Sequence, residues 1–91
     1  MAALDLLGRR WTLRVLWELR DGPQGFRPLQ RRCDDMSSSV LGGRLAELEE
    51  VRLVGRTPDG RYELTDLGRD LGRAIAPLDA WAKRWDESLR S

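Results

Sequence analysis

Apolar residues recur at helical spacing through the first half of the chain and alternate only once, briefly, after it. Ala2 to Leu7 reads as a short helix halted near Gly8. Trp11 to Arg20 reads as a second, with Leu13, Leu16, Trp17 and Leu19 as apolar positions, ended by the breakers in "DGPQG". Phe26 to Cys33 predicts a short helix with Pro28 tolerated in its first turn. "DDMS" is a tight connection. Ser37 or Ser38 then caps the longest helical pattern, which runs to about Val51 with Leu41, Leu45 and Leu48 on one stripe. The period changes at "LVGRT" and "RYELT", two strand candidates around the turn residues Pro58, Asp59 and Gly60, so Leu53 to Leu64 predicts a hairpin. Thr65 caps another helix with Asp66 in its first turn. Pro77 marks a joint and opens a final helix, Leu78 to about Leu89. The order is that of a winged helix-turn-helix, mainly α with a small β-hairpin wing, followed by a C-terminal helical extension.

Two adjacent glycines, Gly42 and Gly43, interrupt the Ser37–Val51 pattern. Each costs roughly 1 kcal/mol relative to alanine in a helix interior. At 100° per residue, Ser39, Gly43, Ala46, Glu47 and Glu50 lie opposite the leucine stripe. That outer face begins small and polar and ends acidic, so only its N-terminal half can approach DNA closely. Small residues let the backbone come near a large partner, and the helix N-terminus offers free N–H groups to a phosphate. Helix-on-helix crowding or neutral drift is the alternative reading of the glycines.

Composition limits the chemistry. With 91 residues the chain is most simply one domain. Its net charge is +1, so overall charge gives no vote for nucleic acid. Nearly all the basic residues are arginines, Lys83 being the one lysine. There is one cysteine, Cys33, and no histidine, which removes an internal disulfide, a multi-cysteine metal site and the commonest general base. No phosphate loop or nucleophile motif appears; an enzyme, a metal centre and a bound cofactor are not expected. No apolar run reaches the length of a membrane span. Asp5 and the arginines that follow make the start unlike a signal peptide, so a cytoplasmic protein is the expectation.

The segments "ALDLLGRRWTLRVLWELRDGPQGFRPLQRRC", "LGGRLAELEEVRLVGR" and "YELTDLGRDL" together resemble the HxlR-type branch of MarR-like winged-helix transcription regulators. The order and spacing of Gly8, Trp11, Thr12, Leu13, Gly22, Phe26, Leu29, Leu41, Arg44, Leu45, Leu48, Arg56, Tyr62, Leu64, Thr65, Leu67 and Gly68 carry it. The resemblance implies a single domain over 1–91. Its helix-turn-helix would lie at about 26–51, its wing at about 53–64 and its C-terminal dimerisation helices at about 65–90. It implies a homodimer on double-stranded operator DNA, with a small-molecule effector as a further possible partner and no membrane. The wing is shorter than the family's usual one, which implies a contact near the backbone. Val51 and Arg52 stand where the family has an acidic residue and glycine, so Arg52 falls at a glycine-like turn. The N-terminal cysteine that is redox-reactive in some members has no counterpart, the chain beginning past its place.

Ser37, Ser38, Ser39, Gly42, Gly43 and Arg44 are thus the candidate recognition-helix residues. Arg27, Arg31 and Arg32 on the preceding helix, with Arg56 and Arg61 flanking the wing turn, are candidate phosphate contacts. The alternative for these arginines is ordinary pairing with Asp34, Asp35, Asp59 or Glu63. Leu78, Trp81, Trp85 and Leu89 recur at three- and four-residue spacing and predict a dimer seam, helped by Leu4 and Leu7. Trp11 and Trp17 could join Trp81 and Trp85 around an aromatic pocket. Cys33 reads as a buried small hydrophobe, with a thiol sensor beside Arg31 and Arg32 as the sharper alternative. The competing function is a winged-helix module that binds another protein and little DNA, favoured by the near-neutral charge, the clipped wing and Glu47, Glu49 and Glu50.

Overall fold

The computed structural model describes residues 11–90. Leu4, Leu7 and the helix expected over Ala2 to Leu7 lie outside the described residues. The elements are α1 (Thr12–Glu18), α2 (Phe26–Arg32), α3 (Ser38–Glu50), β1 (Val54–Arg56), β2 (Tyr62–Leu64) and α4 (Asp66–Arg90). They form a winged helix-turn-helix from which α4 extends, giving a body of 47 × 29 × 22 Å.

α1 is shorter than the sequence pattern suggests. Its tail tightens, with Leu19 N–H donating to Leu16 O and Arg20 N–H to Trp17 O, before Gly22 turns the chain at φ 139°. Its buried face is Val15, Leu16 and Leu19, whereas Leu13 is exposed. Val15 rather than Leu13 therefore supplies the second core position. Leu29 and Cys33 from α2, Met36 from the turn, and Leu41, Leu45 and Leu48 from α3 complete the helical side of the core. Val54, Tyr62 and Leu64 close it from the hairpin.

Both helix-turn-helix helices end in a left-handed turn made without glycine. After α2, Asp34 N–H donates to Arg31 O and Asp35 N–H to Gln30 O, and both aspartates sit at positive φ, 59° and 55°. After α3, Arg52 adopts φ 65° while its N–H reaches Glu49 O and that of Leu53 reaches Leu48 O. These are Schellman caps, in which the residue after the helix normally avoids a Cβ. Arg52 thus occupies the glycine-like position expected of it.

β1 and β2 pair antiparallel, Val54 with Leu64 and Arg56 with Tyr62. Gly60 takes φ 86° in the turn, as "PDG" predicts. The loop ahead of α2 adds a third, one-residue rung. Gln24 and Tyr62 exchange both backbone hydrogen bonds, at 2.9 and 2.8 Å. The wing is therefore tied to the entry of α2 as well as to the end of α3.

α4 corrects the expectation of a joint at Pro77. Asp66 to Arg90 is one helix of 25 residues that passes through the proline. Proline removes one hydrogen bond and crowds the carbonyl four residues back. Here ion pairs on both sides, Asp66–Arg69 and Asp70–Arg73 before it and Asp79–Lys83 and Asp86–Arg90 after it, support the same helical period. Thr65 caps it as expected, its Oγ1 accepting from Gly68 N–H at 3.0 Å. Gly68 is buried against the end of α3, where a Cβ would stand 2.1 Å from the Leu53 carbonyl oxygen.

Candidate nucleic-acid interface

α3 presents its leucine stripe inward, with Leu41, Leu45 and Leu48 at 0–1% exposure. Its N-terminus faces outward and is capped by Ser37, whose Oγ accepts from Val40 N–H at 3.2 Å. Ser38 Oγ accepts from the Gln30 amide at 3.2 Å, which also donates to Met36 O at 2.8 Å. Ser39 is exposed, its Oγ 3.4 Å from that of Ser37. A Cβ added at Gly42 or at Gly43 would meet nothing within 4 Å. Helix crowding by the described residues does not account for the glycines: the surface over them is open.

Arg44 does not extend over this opening. Its Nη1 donates to Glu47 at 2.9 Å, and its Nε is buried without a partner among the described residues. The guanidinium lies back along α3, one turn from the glycines.

The candidate phosphate contacts divide into two groups. Arg27 and Arg31 on α2 are exposed and have no acidic partner among the described residues. The other three are paired: Arg32 with Asp21 at 3.7 Å, Arg56 with Glu49 at 3.4 Å, and Arg61 with Asp59 at 3.0 Å. Arg56 also stacks on the Tyr62 ring at 4.3 Å. At the wing tip, Thr57 Oγ1 donates to the Asp59 carboxylate. That hydrogen bond, with the nearby Arg61 guanidinium, holds the Asp59 pKa below the ordinary carboxylate range.

Two positioning residues carry no signal of their role in the sequence. Arg14 on α1 donates to Glu18 at 2.9 Å, to Asp34 at 3.1 Å and to the Arg32 carbonyl at 2.7 Å. The Glu18 hydrogen bond holds its guanidinium still more firmly charged. Arg14 thereby braces the left-handed turn between α2 and α3. Gln30 does the same from α2. A lone arginine in an amphipathic helix and a glutamine in a basic run look like surface residues; no local pattern separates them from such.

Cys33 is fully buried, and burial pushes its thiol pKa up. That is the environment of a small hydrophobe rather than of a reactive thiolate. Leu78, Trp81, Trp85 and Leu89, expected to form a dimer seam, are 56, 51, 55 and 69% exposed, and the two tryptophan rings stack 5.6 Å apart. The four tryptophans are not gathered around one pocket within a single chain. Trp11 packs against the core, and Trp17 lines a groove of about 300 Å³ between α1 and α4 with Leu16, Leu64 and Ile75. Neither Trp81 nor Trp85 lines that groove. Among the described residues no helix is long and apolar enough to cross a membrane, and no cluster of three or more metal-ligating side chains occurs.

Comparison with known proteins agrees with this architecture. The model of the HxlR-like helix-turn-helix family matches residues 6–90. YvaP of Bacillus subtilis, an uncharacterized HTH-type transcriptional regulator, is 34% identical over 89 residues, 91% of this chain and 82% of its own length. The quinone-bound crystal structure of YodB, a B. subtilis HTH-type transcriptional regulator, superposes with a TM-score of 0.80 at 34% identity, covering 91% of this chain and 92% of YodB. A possible HxlR family transcriptional factor from Thermoplasma volcanium superposes with a TM-score of 0.84 at 27% identity, covering 92% and 81%. Helix-turn-helix, short wing and family match coincide along the chain, which belongs to the HxlR-like helix-turn-helix family of transcriptional regulators and is not an enzyme.

Proposed function

We propose that the chain acts as a homodimeric, sequence-specific DNA-binding regulator in which the N-terminal half of α3 enters the major groove. The observation that carries this reading is the open surface over Gly42 and Gly43, beside a serine-capped helix start. A solvated helix gains nothing from two glycines, whereas a helix pressed against a duplex gains close approach. Base readout then falls to Ser38 and Ser39, with Arg44 held back by Glu47. Arg27 and Arg31 are the arginines best placed to hold phosphates, being exposed and free of acidic partners among the described residues. Arg32, Arg56 and Arg61 are secondary contacts, and the short wing stays near the backbone.

The homodimer is supported by α4. Four large apolar side chains at helical spacing are each more than half exposed on a single chain, and such a stripe needs a partner. A two-fold dimer presents two copies of α3, so its operator should be an inverted repeat with half-sites about one helical turn apart.

The test is a selection from a random duplex pool with the purified protein, followed by affinity measurements on the selected sequence across salt. Gly43→Glu should fold normally, since a Cβ there meets nothing within 4 Å and glutamate is the better helix former, and should lose operator binding through bulk and charge. Arg31→Ala should weaken binding to all sequences and make the salt slope shallower by about 1 for each phosphate no longer neutralised. A folded Gly43→Glu that binds the selected operator as tightly as wild type would remove α3 from the interface. The protein-interaction module would then be the better reading.

A further inference from the structure

The arginines of this face are not equivalent, and the difference lies in what faces them. Arg27 and Arg31 on α2 stand free of acids among the described residues, whereas the arginines of the wing each carry a carboxylate of their own. Glu49, on α3, reaches Arg56 of β1 at 3.4 Å. Asp59, at the wing tip, takes the Arg61 Nε between its two oxygens at 3.3 and 3.0 Å.

Neither pair is needed to build the wing. The hairpin already has its strand register and the rung to Gln24. Its turn is closed by Thr57 N–H to Arg61 O at 2.8 Å, Gly60 N–H to Thr57 O at 2.9 Å and Arg61 N–H to Thr57 Oγ1 at 2.9 Å. Ion pairs this exposed add little stability. The side chains of Arg56 and Glu49 are 52 and 32% exposed, and those of Arg61 and Asp59 are 49 and 63% exposed, so an incoming anion can reach both guanidinium groups. Tyr62 under Arg56 and Thr57 beside Asp59 hold the two partners in place meanwhile.

We propose that Glu49 and Asp59 compete with DNA phosphate for Arg56 and Arg61, so that the wing meets DNA by exchanging counter-ions rather than as free cations. The inference rests on the reading of this face as DNA-binding. Its consequence is a wing that contributes less affinity than its arginines alone suggest. Arg27 and Arg31 then carry most of the sequence-independent attraction, and discrimination is left to the α3 start. A weaker non-specific term favours the specific site over the many competing ones.

The experiment uses the full chain and two labelled duplexes of about 25 base pairs, one of random sequence and one selected operator. Glu49→Gln and Asp59→Asn should each tighten binding to both duplexes by about 1.4- to fivefold, the range expected for releasing one exposed ion pair. The gain should vanish when Arg56→Ala or Arg61→Ala, respectively, is added. Glu50→Gln is the control. It removes the same charge from the next position of α3, and Glu50 has no ion-pair partner among the described residues, so its effect should be smaller. Melting temperatures of all variants should stay near that of wild type. A gain from Glu50→Gln equal to that from Glu49→Gln, a gain that survives removal of the arginine, or no gain at all overturns the proposal. If binding is intact and depends on Arg31 while these gains are missing, only the counter-ion inference falls. If wild type binds neither duplex, the DNA reading falls and takes this one with it.

Discussion

Gly68→Ala adds one methyl group to a good helix position and should nevertheless be among the most damaging substitutions in the chain. The new Cβ would lie 2.1 Å from the Leu53 carbonyl oxygen, with Leu64 Cδ2 at 3.3 Å on another side. Reaching van der Waals distance means moving α4 off the end of α3 by roughly 1 Å. The Leu53 oxygen also accepts from Thr65 N–H at 3.1 Å, and Thr65 Oγ1 donates to Arg52 O at 2.7 Å. The same movement therefore strains two hydrogen bonds, each contributing about 1 kcal/mol net. Overpacking adds roughly 1–3 kcal/mol, while alanine returns about 1 kcal/mol of helix propensity. The sum is a loss of about 2–4 kcal/mol, which for a domain of this size lowers the melting temperature by some 10–30 °C at about 4–8 °C per kcal/mol. Urea and thermal unfolding followed by circular dichroism measure it. Gly43→Ala is the control: the same chemical change where a Cβ meets nothing should raise stability by about 0.5–1 kcal/mol. A Gly68→Ala protein within about 0.5 kcal/mol of wild type would show that the α3–α4 junction yields freely, and the close-approach argument would be wrong.

Arg52→Gly removes a side chain from a left-handed cap at φ 65° and should stabilise the chain by about 1 kcal/mol in the same assay; an unchanged or lower midpoint would mean that the Arg52 side chain makes a compensating interaction. Trp81→Ala with Trp85→Ala should turn a dimer into a folded monomer by size-exclusion chromatography with light scattering, because both rings are about half exposed on the single chain; a fully dimeric, equally stable double variant would exclude α4 as the seam. Cys33 should be alkylated far more slowly in native than in urea-unfolded protein. Because burial raises its pKa, its contribution to stability is intact below the unfolded thiol pKa and is lost as pH rises through the native one. Cys33→Ser, which buries a hydroxyl in place of the thiol, should cost about 1–3 kcal/mol; rapid alkylation of the native protein would contradict the burial.

Much of the architecture is legible in local pattern. The Leu41, Leu45 and Leu48 stripe, the Ser37 cap, the Thr65 cap and the "PDG" turn each depend on residues within one turn of one another, and each appears where the pattern puts it. Arg52 at a glycine-like position follows from the family resemblance rather than from local pattern, since only some helices end in a left-handed residue. Pro77 marks where local pattern fails. Proline propensity argues for a break at a cost of roughly 3 kcal/mol, yet α4 runs through Pro77 as one helix of 25 residues. The exposed ion pairs on both sides, at about 0.3–0.5 kcal/mol each, do not by themselves offset that cost. Val15 and Leu13 both suit an apolar helix position, and only the placement of α2 and α3 decides which of them is buried.

The candidate site divides along the same line. Sequence alone identifies the glycine-bearing helix start and the set of arginines around it, since residue type and helical phase suffice for both. It cannot say which arginines are free. Arg56 meets Glu49 across a strand and a helix, Arg32 meets Asp21 across a loop, and Arg14 reaches Asp34 across twenty residues of chain. Charge pairing acts over a few ångströms of space rather than along the chain. The partners of Arg14, Arg32 and Arg56 were therefore set only when α1, α2, α3 and the wing packed together, whereas Arg61 meets Asp59 within its own turn. The same packing leaves Arg27 and Arg31 without an acidic neighbour among the described residues.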